Sequence, residues 1–178
     1  DFEGARTRAA RALAVNPNLV GPHLTIARTY EFEEAYPEMQ KEVAAARSVN
    51  PRSTEALAVL AACHWLRGDR SRHDAAVRRC LGIDPTFARL YWILGESASH
   101  HRRVDDAERF LRQALSMNPE LDLAQTSLGN LYMREGREEE ARERLERAFD
   151  MDRYNYRTLN FIKLLDYLDR DFSVPVSP

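Results

Sequence analysis

An all-α solenoid built from one repeated helix pair is the fold class that this sequence predicts, and three observations carry the prediction. The first is an interval: Asn16-Pro17, Asn50-Pro51, Asp84-Pro85 and Asn118-Pro119 recur every 34 residues, and Asp152-Arg153 falls on the next tick. The second is that each column of that interval keeps its physical character. The third is composition, since 44% hydrophobic and 30% charged residues are ordinary for a globular helical domain, and no apolar run approaches the roughly 20 residues needed to span a bilayer.

The columns justify the elements in turn. Ile26, Leu60, Leu94, Leu128 and Ile162 form one apolar column, followed by Ala27, Ala61, Gly95 and Gly129, small enough for close helix approach, until Lys163 breaks the series. Ala12, Ala46, Cys80, Ala114 and Ala148 form a second small column. Ala9, Val43, Val77, Leu111 and Leu145 add bulk four residues after Ala5, Met39, His73, Ala107 and Ala141, a spacing that puts both sets on one helical face. Helices are therefore expected at 2–14, 20–33, 37–49, 54–67, 70–82, 88–101, 104–117, 122–135, 138–150 and 155–169. Each Asn-Pro or Asp-Pro ends a helix, because proline disfavours α geometry in the residue before it. Gly68 and Gly136 mark tight turns inside two units, with Glu34 and Arg102 at the same place in the others. Pro37 opens its helix, where a missing amide donor costs nothing.

These residues resemble the tetratricopeptide-repeat family, over nearly all of the chain. The family pattern W-x-x-L-G-x-x-Y, A-x-x-x-F, A has its best copy at Gln125-x-x-Leu128-Gly129-x-x-Tyr132, Ala141-x-x-x-Leu145, Ala148. Departures lie in the leading aromatic column, His23, Leu57, Tyr91, Gln125 and Leu159, and in the later Tyr column, Tyr30, His64, Ala98, Tyr132 and Asp166, with looser packing expected around Ala98. The resemblance implies a right-handed superhelix of about ten antiparallel helices. It divides the chain into a second helix of a truncated unit at 1–19, units at 20–53, 54–87, 88–121 and 122–155, a capping helix at 156–170 and an extended or disordered tail at 171–178.

Because Asp1-Phe2-Glu3 matches the residues just after an intra-unit turn, the sequence is expected to be an excerpt of a longer protein, and the bare face of its first helix offers a route to self-association. Only Lys41 and Lys163 are lysines among 26 basic residues, a bias that suggests a GC-rich bacterial genome and leaves cytoplasm and periplasm equally open. The stretch from Asn155, Arg157, Thr158, Leu159 and Asn160 to Leu164, Leu165, Asp166, Leu168 and Asp169 resembles the junction where bacterial repeats lead into a gluzincin-type metallopeptidase domain. That resemblance implies an accessory role beside a catalytic domain after residue 178.

Little in the chain points to chemistry of its own. A net charge of −2 gives no global attraction for nucleic acid, and the run from Arg134 to Arg147 mixes signs, with Glu138/Arg142, Glu140/Arg144 and Glu143/Arg147 at i,i+4 spacing. Cys63 and Cys80 read as reduced, and Cys80 fills a column otherwise held by alanine. His23, His64, His73, His100 and His101 form no H-x-x-x-H or H-E-x-x-H with one another or with the cysteines, and His73 reads as a partly buried ring held by a hydrogen bond. No phosphate loop, nucleophile elbow or fixed carboxylate pair occurs, so no catalytic residue, cofactor or metal is expected.

Binding of a protein or peptide remains. The resemblance places the first helix of every unit on the inner surface, which makes Arg28, Val59, Ala62, Trp65, Arg89, Trp92, Ile93, Glu96, Ser127 and Asn130 the candidate groove. Trp65 and Trp92 stand out, since neither occupies a packing column and tryptophan is enriched at binding hot spots. The Lys and Asn set with which chaperone-tail receptors of this family clamp a carboxylate is not matched: the corresponding positions include Leu24, Ala58, Leu123 and Phe161.

Overall fold

The computed structural model describes residues 1–172, apart from the side chains of Arg157 and residues 169–172. The described residues form ten helices and no strand: α1 (Phe2–Val15), α2 (Val20–Phe32), α3 (Tyr36–Val49), α4 (Thr54–Leu66), α5 (Arg70–Ile83), α6 (Arg89–His100), α7 (Val104–Met117), α8 (Asp122–Arg134), α9 (Glu138–Met151) and α10 (Tyr156–Phe172). Consecutive helices pack pairwise except α5 and α6, and α2, α4, α6 and α8 also touch in series, the layout of a helical repeat solenoid. One expectation is corrected at its edge: α10 continues through Phe172, where a tail from residue 171 was expected, and residues 173–178 lie outside the described residues.

Two turn designs alternate along the chain. Between units, Asn16, Asn50, Asp84, Asn118 and Asp152 leave the helix in extended geometry, with φ between −132° and −141°. The side-chain oxygen of each accepts the amide two residues on, at 2.9–3.0 Å, an Asx turn that needs no proline and so survives at Asp152-Arg153. Within units, Glu34, Gly68, Arg102 and Gly136 all sit at positive φ, from 55° to 73°. There the amide of the following residue reaches back to a carbonyl of the last helical turn: Ala35 to Tyr30, Asp69 to His64, Arg103 to Ala98 and Arg137 to Tyr132, each at 2.9 Å. This left-handed closure satisfies carbonyls that the helix end leaves bare.

Close approach fixes how helices pair within a unit. A Cβ on Gly95 would lie 2.7 Å from Leu111 Cγ, and one on Gly129 would lie 2.7 Å from Leu145 Cγ, so each glycine admits a leucine from its partner helix. Ala46, Cys80, Ala114 and Ala148 are fully buried along the second small column. Helix α4 is apolar all round and buries nine of its residues, because α2 and α6 flank it on one side while α3 and α5 cover the other.

The Tyr column varies from unit to unit, and two outer clefts open along the array. Tyr132 is fully buried, donates its hydroxyl to Glu108 at 2.9 Å, receives Arg112 at 3.1 Å and lies under the Arg137 guanidinium, while Tyr30 lies under Arg6. A cleft of about 490 Å³ opens between α5 and α7, in the unit whose column residue is the fully buried Ala98, and one of about 210 Å³, lined by His64, opens between α3 and α5. The charged face is wired differently from simple i,i+4 pairing. Glu143 and Arg147 do meet at 3.0 Å, but Glu140 pairs with Arg137, and Arg142 reaches Asp166 on α10 at 2.6 Å.

Candidate functional site

The inner helices enclose two hollows that meet at Trp92. The larger, about 590 Å³, is walled by Trp92, Glu96, Ser99 and His100 of α6, by Leu123, Thr126, Ser127, Asn130, Met133 and Arg134 of α8, and by Asn155 and Phe161 beside and on α10. The smaller, about 170 Å³, lies between α2, α4 and α6 and is lined by Leu24, Thr25, Arg28, Glu55, Val59, Arg89, Trp92 and Ile93.

Trp92 is held as a wall shared by both. Its indole Nε1–H donates to Ser127 Oγ at 3.1 Å, and the guanidinium carbons of Arg28 and Arg89 stand 5.8 and 5.7 Å from its ring centroid, within cation–π range. Arg89 is anchored by Glu55 at 3.1 Å. Deeper in the larger hollow, Asn130 Oδ1 is buried with no hydrogen-bond partner, whereas Thr126 is bonded to Thr158 at 3.3 Å and Arg134 to Ser99. A buried acceptor without a donor is costly, so Asn130 is the lining group whose hydrogen bonding a ligand would complete.

The sequence-derived candidates divide three ways. Arg28, Val59, Arg89, Trp92 and Ile93 border the smaller hollow, and Trp92, Glu96, Ser127 and Asn130 border the larger. Ala62 is fully buried, and Val59 and Ile93 are 3% and 7% exposed. The alanines of α4 let α2 and α6 close over it: Arg28 reaches Trp92, and Phe32 meets the His100 ring at 4.5 Å across α4. Trp65 does not share a hollow with Trp92. It turns into the outer cleft between α5 and α7, edge-on to Phe110 at 5.5 Å with Arg103 4.6 Å from its centroid. Missed in the candidate set were Ser99, His100 and Arg134, although Ser99 lies 34 residues before Met133 and His100 the same distance before Arg134.

Nothing in the lining supplies an activated nucleophile. Burial pushes the Cys63 and Cys80 thiols up to about 11, so both stay protonated near neutral pH, and Cys80 donates to the Thr54 carbonyl. His73 Nδ1 lies 3.0 Å from the Ala61 carbonyl oxygen. Among the described residues no three His, Cys, Asp or Glu side chains converge as a metal site, and no helix is long and apolar enough to cross a membrane.

Comparison with known proteins agrees with this architecture. Residues 98–155 match the family model for the tetratricopeptide repeat. Over those residues the chain resembles the tetratricopeptide repeat. A crystal structure of a thermophilic tetratricopeptide-repeat protein from Thermus thermophilus superposes with a TM-score of 0.60 at 21% identity, covering 94% of this chain and 91% of that one. YrrB, described as a tetratricopeptide-repeat protein with an unusual peptide-binding site, superposes with a TM-score of 0.50 at 16% identity, covering 91% of this chain and 84% of that one. Anaphase-promoting complex subunit 3 of Schizosaccharomyces pombe is 27% identical over 132 residues, 68% of this chain, and the chain spans about a fifth (20%) of that curated relative's length. These likenesses show the fold of the chain, an all-α helical repeat solenoid.

Proposed function

We propose that the tetratricopeptide repeats act as a non-catalytic scaffold that holds an extended peptide or protein segment in the hollow between α6, α8 and α10. One observation carries the reading: a hollow of about 590 Å³ combines the apolar surfaces of Trp92, Leu123, Met133 and Phe161 with a buried acceptor, Asn130 Oδ1, that has no hydrogen-bond partner among the described residues. A peptide backbone N–H is the commonest donor that could reach it, and apolar side chains on either side would cover the rings. Glu96 and Arg134 supply both signs of charge, which suits a zwitterionic or mixed-charge segment better than a strongly basic or acidic one. The peptide-binding site named for YrrB lends this reading an analogy of fold.

Panning a random peptide library against the chain, then titrating the selected peptides into wild type, Trp92→Ala, Asn130→Ala and Trp65→Ala, tests it. Peptides should lose affinity for the first two variants and keep it for Trp65→Ala, whose ring lies in a different cleft. Equal binding to all four proteins would move the site elsewhere.

A second reading makes the array an accessory, substrate-positioning segment of a bacterial metallopeptidase. Its support is the resemblance of Asn155 to Asp169 to such junctions, and a reading frame that continues past residue 178 into an H-E-x-x-H helix would favour it.

A further inference from the structure

The outer cleft at His64 is bordered by cationic side chains. Three guanidinium side chains, Arg47 from α3 and Arg72 and Arg79 from α5, border its volume of about 210 Å³. Arg72 and Arg79 stand two turns apart on one face of α5, and the residues between them on that face, Ala75 and Ala76, are only methyls, so no side chain fills the space the cations surround. His64 lines the pocket, is 7% exposed, and its Nδ1 is buried with no hydrogen-bond partner. Arg47 Nε is likewise buried and unpartnered.

The same interface two units later is wired differently, with Leu115, Glu140 and Arg147 where the cleft has Arg47, Arg72 and Arg79. There Glu108 on α7 binds Arg137 at 3.0 Å, Arg112 at 2.7 Å and the Tyr132 hydroxyl at 2.9 Å, neutralising the cluster from inside. The residue at the Glu108 position in the His64 unit is Gln40, which carries no charge and whose Oε1 already accepts from Arg67 at 2.8 Å. Asp69 offsets part of Arg72, at 3.4 Å, while its other oxygen caps α5 through the Arg72 amide. Neither Arg47 nor Arg79 has a carboxylate within ion-pair distance among the described residues.

We infer that this cleft binds a phosphomonoester group, whose oxygens would bridge Arg47 and Arg79 and accept from His64. Guanidinium groups suit this chemistry because each presents several N–H donors in a fixed fork, and several of them together favour a dianion over a single carboxylate. Burial holds the His64 imidazole below its usual range, with Arg72, Arg67 and His73 adding to the effect and Asp69 opposing it, so the neutral ring can offer Nδ1–H as a donor without adding charge.

Calorimetric titration of the full chain with inorganic phosphate, O-phosphoserine, a phosphoserine peptide and its glutamate counterpart tests the inference. Saturable binding of the phosphorylated probes, weaker or absent for the glutamate peptide, is expected. A peptide that binds more tightly than O-phosphoserine points to a phosphorylated protein as the source; equal binding points to a small phosphorylated molecule, and both results support the site. The double variant Arg47→Gln/Arg79→Gln should weaken binding at least about tenfold, with circular dichroism and melting unchanged. His64→Tyr, which restores the ring found at Tyr30 and Tyr132, should fill the cleft and abolish binding while keeping the fold. Absence of saturable binding by any phosphorylated probe, or binding that neither variant changes, overturns the proposal. Trp92→Ala should leave this binding intact, which separates its failure from that of the inner groove.

Discussion

Trp92 on α6 donates its indole N–H to Ser127 on α8 at 3.1 Å, tying two inner helices of neighbouring units together across the groove wall. Trp92 and Trp65 are the two tryptophans of the chain, and they occupy separate clefts. In a Trp65→Phe background, tryptophan emission therefore reports Trp92 alone, and it should shift to shorter wavelength as a peptide displaces water from the ring. Ser127→Ala removes one part-buried hydrogen bond and should cost about 1 kcal/mol of stability. Trp92→Ala should cost more in binding, about 2 kcal/mol, because it also removes the apolar surface. Fluorescence titration with a selected peptide and urea melts of each variant would check both halves.

The intra-unit turns offer a stabilising change. Arg102 adopts φ +57° where Gly68 and Gly136 adopt +73° and +71°. A left-handed conformation costs an L side chain roughly 1–2 kcal/mol, and glycine returns part of that through its freer unfolded state. Arg102→Gly should therefore raise stability by about 0.5–1 kcal/mol, and Gly68→Ala should lower it by a similar amount. Shifts of the denaturation midpoint in opposite directions are the expected result; parallel shifts would show that side-chain contacts, not backbone strain, dominate these turns.

Much of this fold was legible because its signals are local. A turn that must close in two or three residues leaves its mark at a fixed interval, so Asn16 through Asp152 and Glu34 through Gly136 could be read from spacing alone, as could the glycine and alanine seams. The site was legible only in part, because it depends on how far non-neighbouring helices approach. Val59 and Ala62 lie on the inner face of α4, yet small side chains there let α2 and α6 meet over them. Trp65 turned outward into the cleft it lines with Phe110 and Arg103, both from the next unit. Arg142 reaches Asp166 on α10 at 2.6 Å besides Glu146 on its own helix at 3.7 Å, and the first of these contacts is one that no single-helix spacing encodes.

Gly129 measures how tightly α8 and α9 are fitted. A methyl there would sit 2.7 and 2.9 Å from Leu145 Cγ and Cδ2 and 3.3 Å from the Ala141 carbonyl, and Leu145 is itself fully buried and has no room to swing away. Overpacking of this kind costs about 1–3 kcal/mol, against which alanine gains about 1 kcal/mol in helix propensity. Gly129→Ala should thus destabilise by up to about 2 kcal/mol. Leu145→Ala alone should cost about 2–5 kcal/mol, and the double variant less than the sum, since the new methyl enters the space the leucine vacates. Additive losses in such a cycle would mean that the two side chains do not compete for one volume.

Glu108 ties α7 to α8 and α9, and it gives the array an acid limit. Burial alone would raise its pKa, but hydrogen bonds from Arg137 and Tyr132 and the charge of Arg112 outweigh that cost and hold the carboxyl below its usual value of 4.5. A folded-state pKa that is depressed contributes stability above the unfolded value and surrenders it as pH falls through the folded one. Stability should accordingly be flat near neutrality and decline below about pH 4.5. Glu108→Gln should lower stability at pH 7 by about 1–3 kcal/mol, the range for hydrogen bonds to a charged group, while making the acid limb shallower. By pH 3 the two proteins should have drawn closer together. Urea denaturation of both across this window decides it: parallel curves at every pH would show that Glu108 contributes through packing and not through its charge.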